Sequence, residues 1–229
     1  MAQKVFFIAD THFHHKNILK HCPERAEVGG YDIDDVDAHD KWLLDMWNST
    51  VGKNDIVYVL GDFAWGSSDH VRRLLSKLHG KKYLVLGNHD KSSDHEDMAY
   101  EYREQTVKGD DWPYDLSNYF VQITQMKMVT FKKSVYDFLD EDFMVFMCHY
   151  PMVTWPSKHF GCCQLHGHCH ARLNDYNDDS TDLRLDVGID TKYAFWTLEE
   201  VYEYFKHKTA GEKFLKYASD MKAEREMIV

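Results

Sequence analysis

Short apolar runs, each closed by polar residues of metal-ligand type, recur along this chain. Val5-Phe6-Phe7-Ile8-Ala9 runs into Asp10-Thr11-His12, Ile56 to Leu60 into Gly61-Asp62, and Tyr83 to Leu86 into Gly87-Asn88-His89-Asp90. Unbroken apolar runs of this length read as strands buried on both faces. Helical periodicity fills the gaps between them. One helix spans Ile33 or Val36 to about Ser49 through Trp42, Leu43 and Trp47. Another spans Ser67 to His79 through Val71, Leu74, Leu75 and Leu78. Strand, helix, strand, helix, strand predicts a parallel sheet with right-handed crossovers. Asn17 opens a short helical stretch, and His21 to Asp35, with Pro23, Gly29 and Gly30, reads as an irregular loop facing substrate.

The pattern changes after Asp90. Ser92 to Gln105 is polar and helical, and Gly109 to Ser117 is a turn-rich connection. Tyr119 to Gln125, Met128 to Phe131, Val135 to Leu139 and Phe143 to Cys148 are short strands whose close spacing predicts antiparallel pairing. Pro151 stops the last of them just after His149. Cys163 to His166 and Leu183 to Ile189 add two strands, and Leu198 to Lys208 a helix that leads into a charged helical tail. The first half is thus α/β and the second α+β.

A length of 229 residues fits a single domain over 1–229, with the tail from about 198. A formal net charge of −11 excludes a long electrostatic track for duplex nucleic acid. Five cysteines without a CxxC pair argue against a disulfide framework and for reduced thiols in the cytoplasm. The apolar run near the N-terminus is too short for a signal peptide, and no run is of membrane-spanning length. The histidines cluster at His12, His14 and His15 and again at His166, His168 and His170.

Residues i and i+2 of an extended segment point the same way, so Asp10 can converge with His12, and His168 with His170, on one ion. A helix cap is the alternative for Asp10. The strand ends together offer Asp10, His12, Asp62, Asn88, His149, His168 and His170. Seven oxygen and nitrogen donors exceed one tetrahedral ion and suit two adjacent ions bridged by a carboxylate. Such a donor set suits manganese, iron, zinc or nickel.

Asp10-x-His12, Gly61-Asp62, Gly87-Asn88-His89-Asp90, His149 after a strand and Gly167-His168-x-His170, in that order, resemble the motif series of the calcineurin-like metallophosphoesterases. The surrounding phrases are similar to small bacterial and phage members. The resemblance covers residues 1 to about 195. It implies a four-layer αββα sandwich, two mixed sheets flanked by helices, with the site at strand ends. It implies one metal on Asp10, His12, Asp62 and His170, the other on Asp62, Asn88, His149 and His168, and Asp62 as the bridge. His89 matches the acid that protonates the leaving oxygen, and Asp90 the carboxylate that orients it. Manganese is the first choice for both ions. The expected activity is phosphoester hydrolysis by metal-activated hydroxide. The favoured substrate is a phosphodiester in a nucleotide or short single-stranded nucleic acid; the alternatives are a phosphomonoesterase and a catalytically silent metal-binding scaffold. Arg25, His14 and Asn17 are candidate substrate contacts. No membrane partner is expected.

Overall fold

The computed structural model describes residues 3–66, 68–90, 119–179, 183–206 and 208. The sequence-predicted segments Ser92 to Gln105 and Gly109 to Ser117, and the tail from Gly211, lie outside them. The first half runs β1 (Val5–Ile8), α1 (Ile18–His21), α2 (Glu24–Gly29), α3 (Val36–Thr50), β2 (Ile56–Val59), α4 (Ser68–Leu75) and β3 (Lys81–Val85). The second half runs β4 (Phe120–Thr124), β5 (Met126–Phe131), β6 (Phe143–Cys148), β7 (Cys163–His166), α5 (Asn174–Asp179), β8 (Arg184–Asp186), β9 (Trp196–Thr197) and α6 (Leu198–Lys206).

These strands form two mixed sheets, ordered β4-β3-β2-β1-β9 and β5-β6-β7-β8. β1 to β4 are mutually parallel, with β9 antiparallel at one edge. In the second sheet β6, β7 and β8 are parallel and β5 is antiparallel. The period of two sorts the side chains of β1. Val5, Phe7 and Ala9 face the second sheet in a core shared with Val145, Met147 and Leu165. Phe6 and Ile8 face the other way, into the cluster under α3 and α4 with Leu43, Trp47 and Leu75. Two buried faces are the reason β1 carries no polar residue before Asp10. α5 contacts β8 on the second sheet, and α6 closes the inter-sheet core through Val201, Tyr202 and Phe205. α3 begins where the side chain of Asp35 accepts from the backbone N–H of Ala38, 2.9 Å away.

Several local expectations change. Residues 24–29 form α2 instead of continuing the irregular loop. β4 pairs in parallel with β3, because its Phe120 belongs to the cluster under α3 and α4. Residues 135–139 are turns, with Val135 exposed and Leu139 buried. The two sheets meet where the chain leaves β1: Ala9 bridges Gly188, its N–H donating to the Val187 carbonyl while its own carbonyl accepts from Ile189.

Candidate metal centre

Asp10 and His12 leave β1, Asp62 leaves β2, Asn88 leaves β3, His149 leaves β6, and His168 and His170 leave β7. All seven therefore lie beyond the carboxyl ends of parallel strands, where open α/β sheets place their sites. Asp10, His12 and His170 bring ligand atoms within 4.8 Å of one another, as do Asp62, His149 and His168. The nitrogens of the first two histidines flank one oxygen: Nε2 of His12 is 3.6 Å and Nε2 of His149 3.5 Å from Asp62 Oδ2. Asn88 joins the second set, its Oδ1 lying 3.1 Å from His149 Nε2.

Local backbone conformation makes this convergence possible. Asp10, His12, Asp62, His168 and His170 all have positive φ, between 48° and 70°. Left-handed backbone at a residue with a β-carbon costs about 1–2 kcal/mol, and such strain concentrates at functional sites. The glycines preceding the ligands let neighbouring loops touch. A β-carbon at Gly61 would sit 2.5 Å from His149 Nδ1 and 2.6 Å from the Gly87 nitrogen.

The site fits cations. Asp10 Oδ1 and His12 Nε2 are buried without a hydrogen-bond partner, and unsatisfied buried polar atoms of this kind call for an ion or a water. His149 Nδ1 lies 2.7 Å from the Leu60 carbonyl oxygen. A carbonyl only accepts, so Nδ1 carries a proton and Nε2 is the nitrogen left to bind a cation at the site. His170 is set the same way by Asp190, whose Oδ2 is 2.7 Å from Nδ1. Burial lifts the Asp10 carboxyl to about 7 in the metal-free protein. Burial also opposes protonation of His149 and His170, yet Asp62 and Asp190 respectively override it and raise them to about 9 and about 10. Burial likewise opposes ionisation of Asp62, but His149 and His12 hold its carboxyl below the usual range. Bound cations would supply the positive charge that these protons now provide. Asp10, His12 and His149 are buried, whereas Asn88 and His168 are exposed, so the second set opens to solvent. His89 is half-buried on that open side, its ring 5.1 Å from Trp65 and 5.5 Å from His12.

Three expected roles change. Arg25 does not face substrate. It is fully buried, pairs with Asp190 at 2.6 Å and donates to the carbonyls of Asp10 and Thr11. No hydrogen bond joins the Asp90 carboxylate to the His89 ring. Its Oδ2 accepts from the backbone N–H groups of Asp62 and Gly87 and its Oδ1 from that of Phe63, at 2.7–2.8 Å. It thus staples the loop of Asp62 to the loop of Asn88. His14 turns toward Asp40 and His70 on α3 and α4 and belongs to neither dinuclear ligand set. Asn17 is exposed just before α1. Sequence reasoning missed Asp190, although Val187-Gly188-Ile189-Asp190 repeats the strand-then-ligand pattern of the opening segments.

The sequence model of the family described as calcineurin-like phosphoesterase matches residues 3–179. The gene 66 proteins of Mycobacterium phages L5 and D29 are 26% and 27% identical, over 88% and 87% of this chain and 94% of each phage protein. An uncharacterised protein of Methanocaldococcus jannaschii is 37% identical over 39% of this chain, and this chain spans 48% of that protein. The crystal structure of a protein of unknown function from Aquifex aeolicus shares the fold, with a TM-score of 0.57 and 24% identity over 88% of this chain and 98% of that one. Members of the matched family typically bind two divalent cations. With a family match over most of its length and ligand clusters in place at the strand ends, the chain belongs to the calcineurin-like phosphoesterases and is a metal-dependent phosphoester hydrolase.

Proposed function

We propose that the chain hydrolyses a phosphodiester in a nucleotide or a short single-stranded nucleic acid, with manganese at both metal positions. Asp10, His12, Asp62 and His170 would hold one ion, and Asp62, Asn88, His149 and His168 the other. When bound, two such ions supply Lewis-acid stabilisation of the phosphoryl oxygens and an activated water.

Trp65 carries the nucleotide reading. It is 44% exposed, lies beside His89, and stacks on His15 with ring centroids 4.5 Å apart and planes 16° apart. An exposed indole held flat on a second ring at the mouth of a site is a surface on which a base can stack, and stacking tolerates any base. His89 sits between this surface and the ligands. Its backbone N–H donates to Asp62 Oδ1 at 2.8 Å, which fixes its main chain and leaves the imidazole to give a proton to the departing oxygen.

Steady-state kinetics with manganese on a dinucleotide and on the matching nucleoside monophosphates tests the reading. The dinucleotide should show the higher kcat/KM. Trp65→Ala should raise its KM about fivefold or more, as loss of about 1 kcal/mol of stacking requires. Faster turnover of the monoester would establish the phosphomonoesterase alternative. An unchanged dinucleotide KM in Trp65→Ala would remove the stacking argument.

A further inference from the structure

A second set of metal-type donors stands outside the dinuclear centre. His14 follows β1, Asp40 lies on α3 and His70 on α4, and their ligand atoms fall within 4.8 Å of one another. Nδ1 of His14 is 3.6 Å and Nε2 of His70 is 3.8 Å from the same oxygen, Asp40 Oδ2. These separations are too long for hydrogen bonds. Where this chain does use a carboxylate to hold an imidazole by a hydrogen bond, at His170 and Asp190, the distance is 2.7 Å. The spacing at Asp40 instead repeats that at the bridging Asp62, where two imidazole nitrogens stand 3.6 and 3.5 Å from one oxygen. Donors bound at about 2.0–2.2 Å to one tetrahedral ion are separated by about 3.4 Å. Each imidazole nitrogen is therefore within a few tenths of an ångström of that spacing from the Asp40 oxygen, and the two stacked rings would spread to close on one cation.

Four further observations point to the same occupant. Nδ1 of His14 is buried with no hydrogen-bond partner. His14 holds φ at 59°, a strained conformation for a residue with a β-carbon. The other oxygen of Asp40 accepts from the backbone N–H of His14 at 2.6 Å, which orients the carboxylate toward the rings. Gly66 leaves the two rings room: a β-carbon there would lie 3.3 Å from His14 and 3.8 Å from His70. The rings themselves stand 4.0 Å apart. His39 lies on the far side of the carboxylate, its Nδ1 3.6 Å from Oδ1.

We propose that His14, Asp40 and His70 bind a third divalent cation, distinct from the dinuclear pair. Two imidazoles and a carboxylate suit zinc and its neighbours, with water completing the coordination. The ion ties the loop that follows His12 to α3 and α4, and so braces the ligand loop.

The test is zinc stoichiometry on the full chain, by equilibrium dialysis against micromolar zinc followed by elemental analysis. His70→Ala should bind one equivalent fewer than the wild type and lose part of the zinc-dependent rise in Tm. His70→Phe keeps a ring against His14 but has no lone pair, and should behave alike. Asp62→Asn should lose zinc from the dinuclear centre while a further His70→Phe change still removes one equivalent, so the two sites are read separately. A folded His70→Ala or His70→Phe protein that binds as much zinc as the wild type overturns the proposal.

Discussion

Asp90→Asn separates two roles for one carboxylate. In the structure Asp90 accepts three backbone hydrogen bonds, two on Oδ2 from Asp62 and Gly87 and one on Oδ1 from Phe63. An asparagine can place its oxygen where Oδ2 stands and keep two of them. Its NH2 group then faces the Phe63 N–H at 2.8 Å, a donor against a donor. Hydrogen bonds to a charged acceptor contribute about 1.5–3 kcal/mol each, and a buried donor left unsatisfied costs about 1–3 kcal/mol. Part of this is offset, because burial disfavours the charge on Asp90 and raises its pKa, and asparagine carries no charge. A net loss of about 2 kcal/mol follows, or roughly 4–8 °C in Tm for a chain of this size. Differential scanning calorimetry of the metal-free protein measures it. Metal titration should show weaker binding, because the stapled loops carry Asp62 and Asn88. If Asp90→Asn instead keeps the wild-type Tm and metal affinity and lowers activity only on poor leaving groups, Asp90 acts through His89 and the stapling account fails.

His89→Ala should keep both catalytic metals, lose about 10²–10⁴-fold in kcat on nucleoside esters and lose much less on p-nitrophenyl esters; equal losses on both, confined to KM, would make it a binding residue. Asp190→Asn should weaken metal binding about 10–100-fold through His170, and should destabilise the fold by about 3–5 kcal/mol because Arg25 is left as a buried unpaired cation; wild-type metal affinity by titration would refute the orienting role. Burial lowers Lys82 to about 8 from its ordinary 10.5. Between those values the unfolded chain binds more protons than the folded one, so stability rises with pH across that window. Lys82→Met should abolish the rise in urea-melt midpoint between pH 8 and pH 10, and an unchanged slope would refute it.

The gathering of donors at the strand ends was legible because each donor and the strand that aims it are neighbours in sequence. Asp10 follows Ala9, Asp62 follows Gly61, and an unbroken apolar run of four or five residues is enough to mark the strand end. The roles of Arg25 and Asp90 were not legible for the opposite reason. Arg25 finds its partner 165 positions away, and nothing near Glu24 to Gly29 signals that a carboxylate will arrive there. Asp90 beside His89 looks like an orienting pair, yet both its oxygens meet amides of loops made by β2 and β3. β4 was read by its spacing to the strands after it, whereas its pairing is decided by Phe120 fitting the cluster under α3 and α4.

The bridge between Ala9 and Gly188 has a kinetic meaning. It joins the end of β1 to the chain just past β8, across 179 positions of sequence, and the loop-closure entropy of so distant a contact delays its formation. Asp10 follows Ala9, and Asp190, which orients His170, follows Ile189. The first metal position is therefore completed only when the two sheets have docked. Cations that require the completed position bind the native state and not the unfolded chain, so their free concentration sets the folding equilibrium by mass action. They should also act mainly on the rate of unfolding, since contacts absent from the folding transition state slow escape from the native state without hastening arrival.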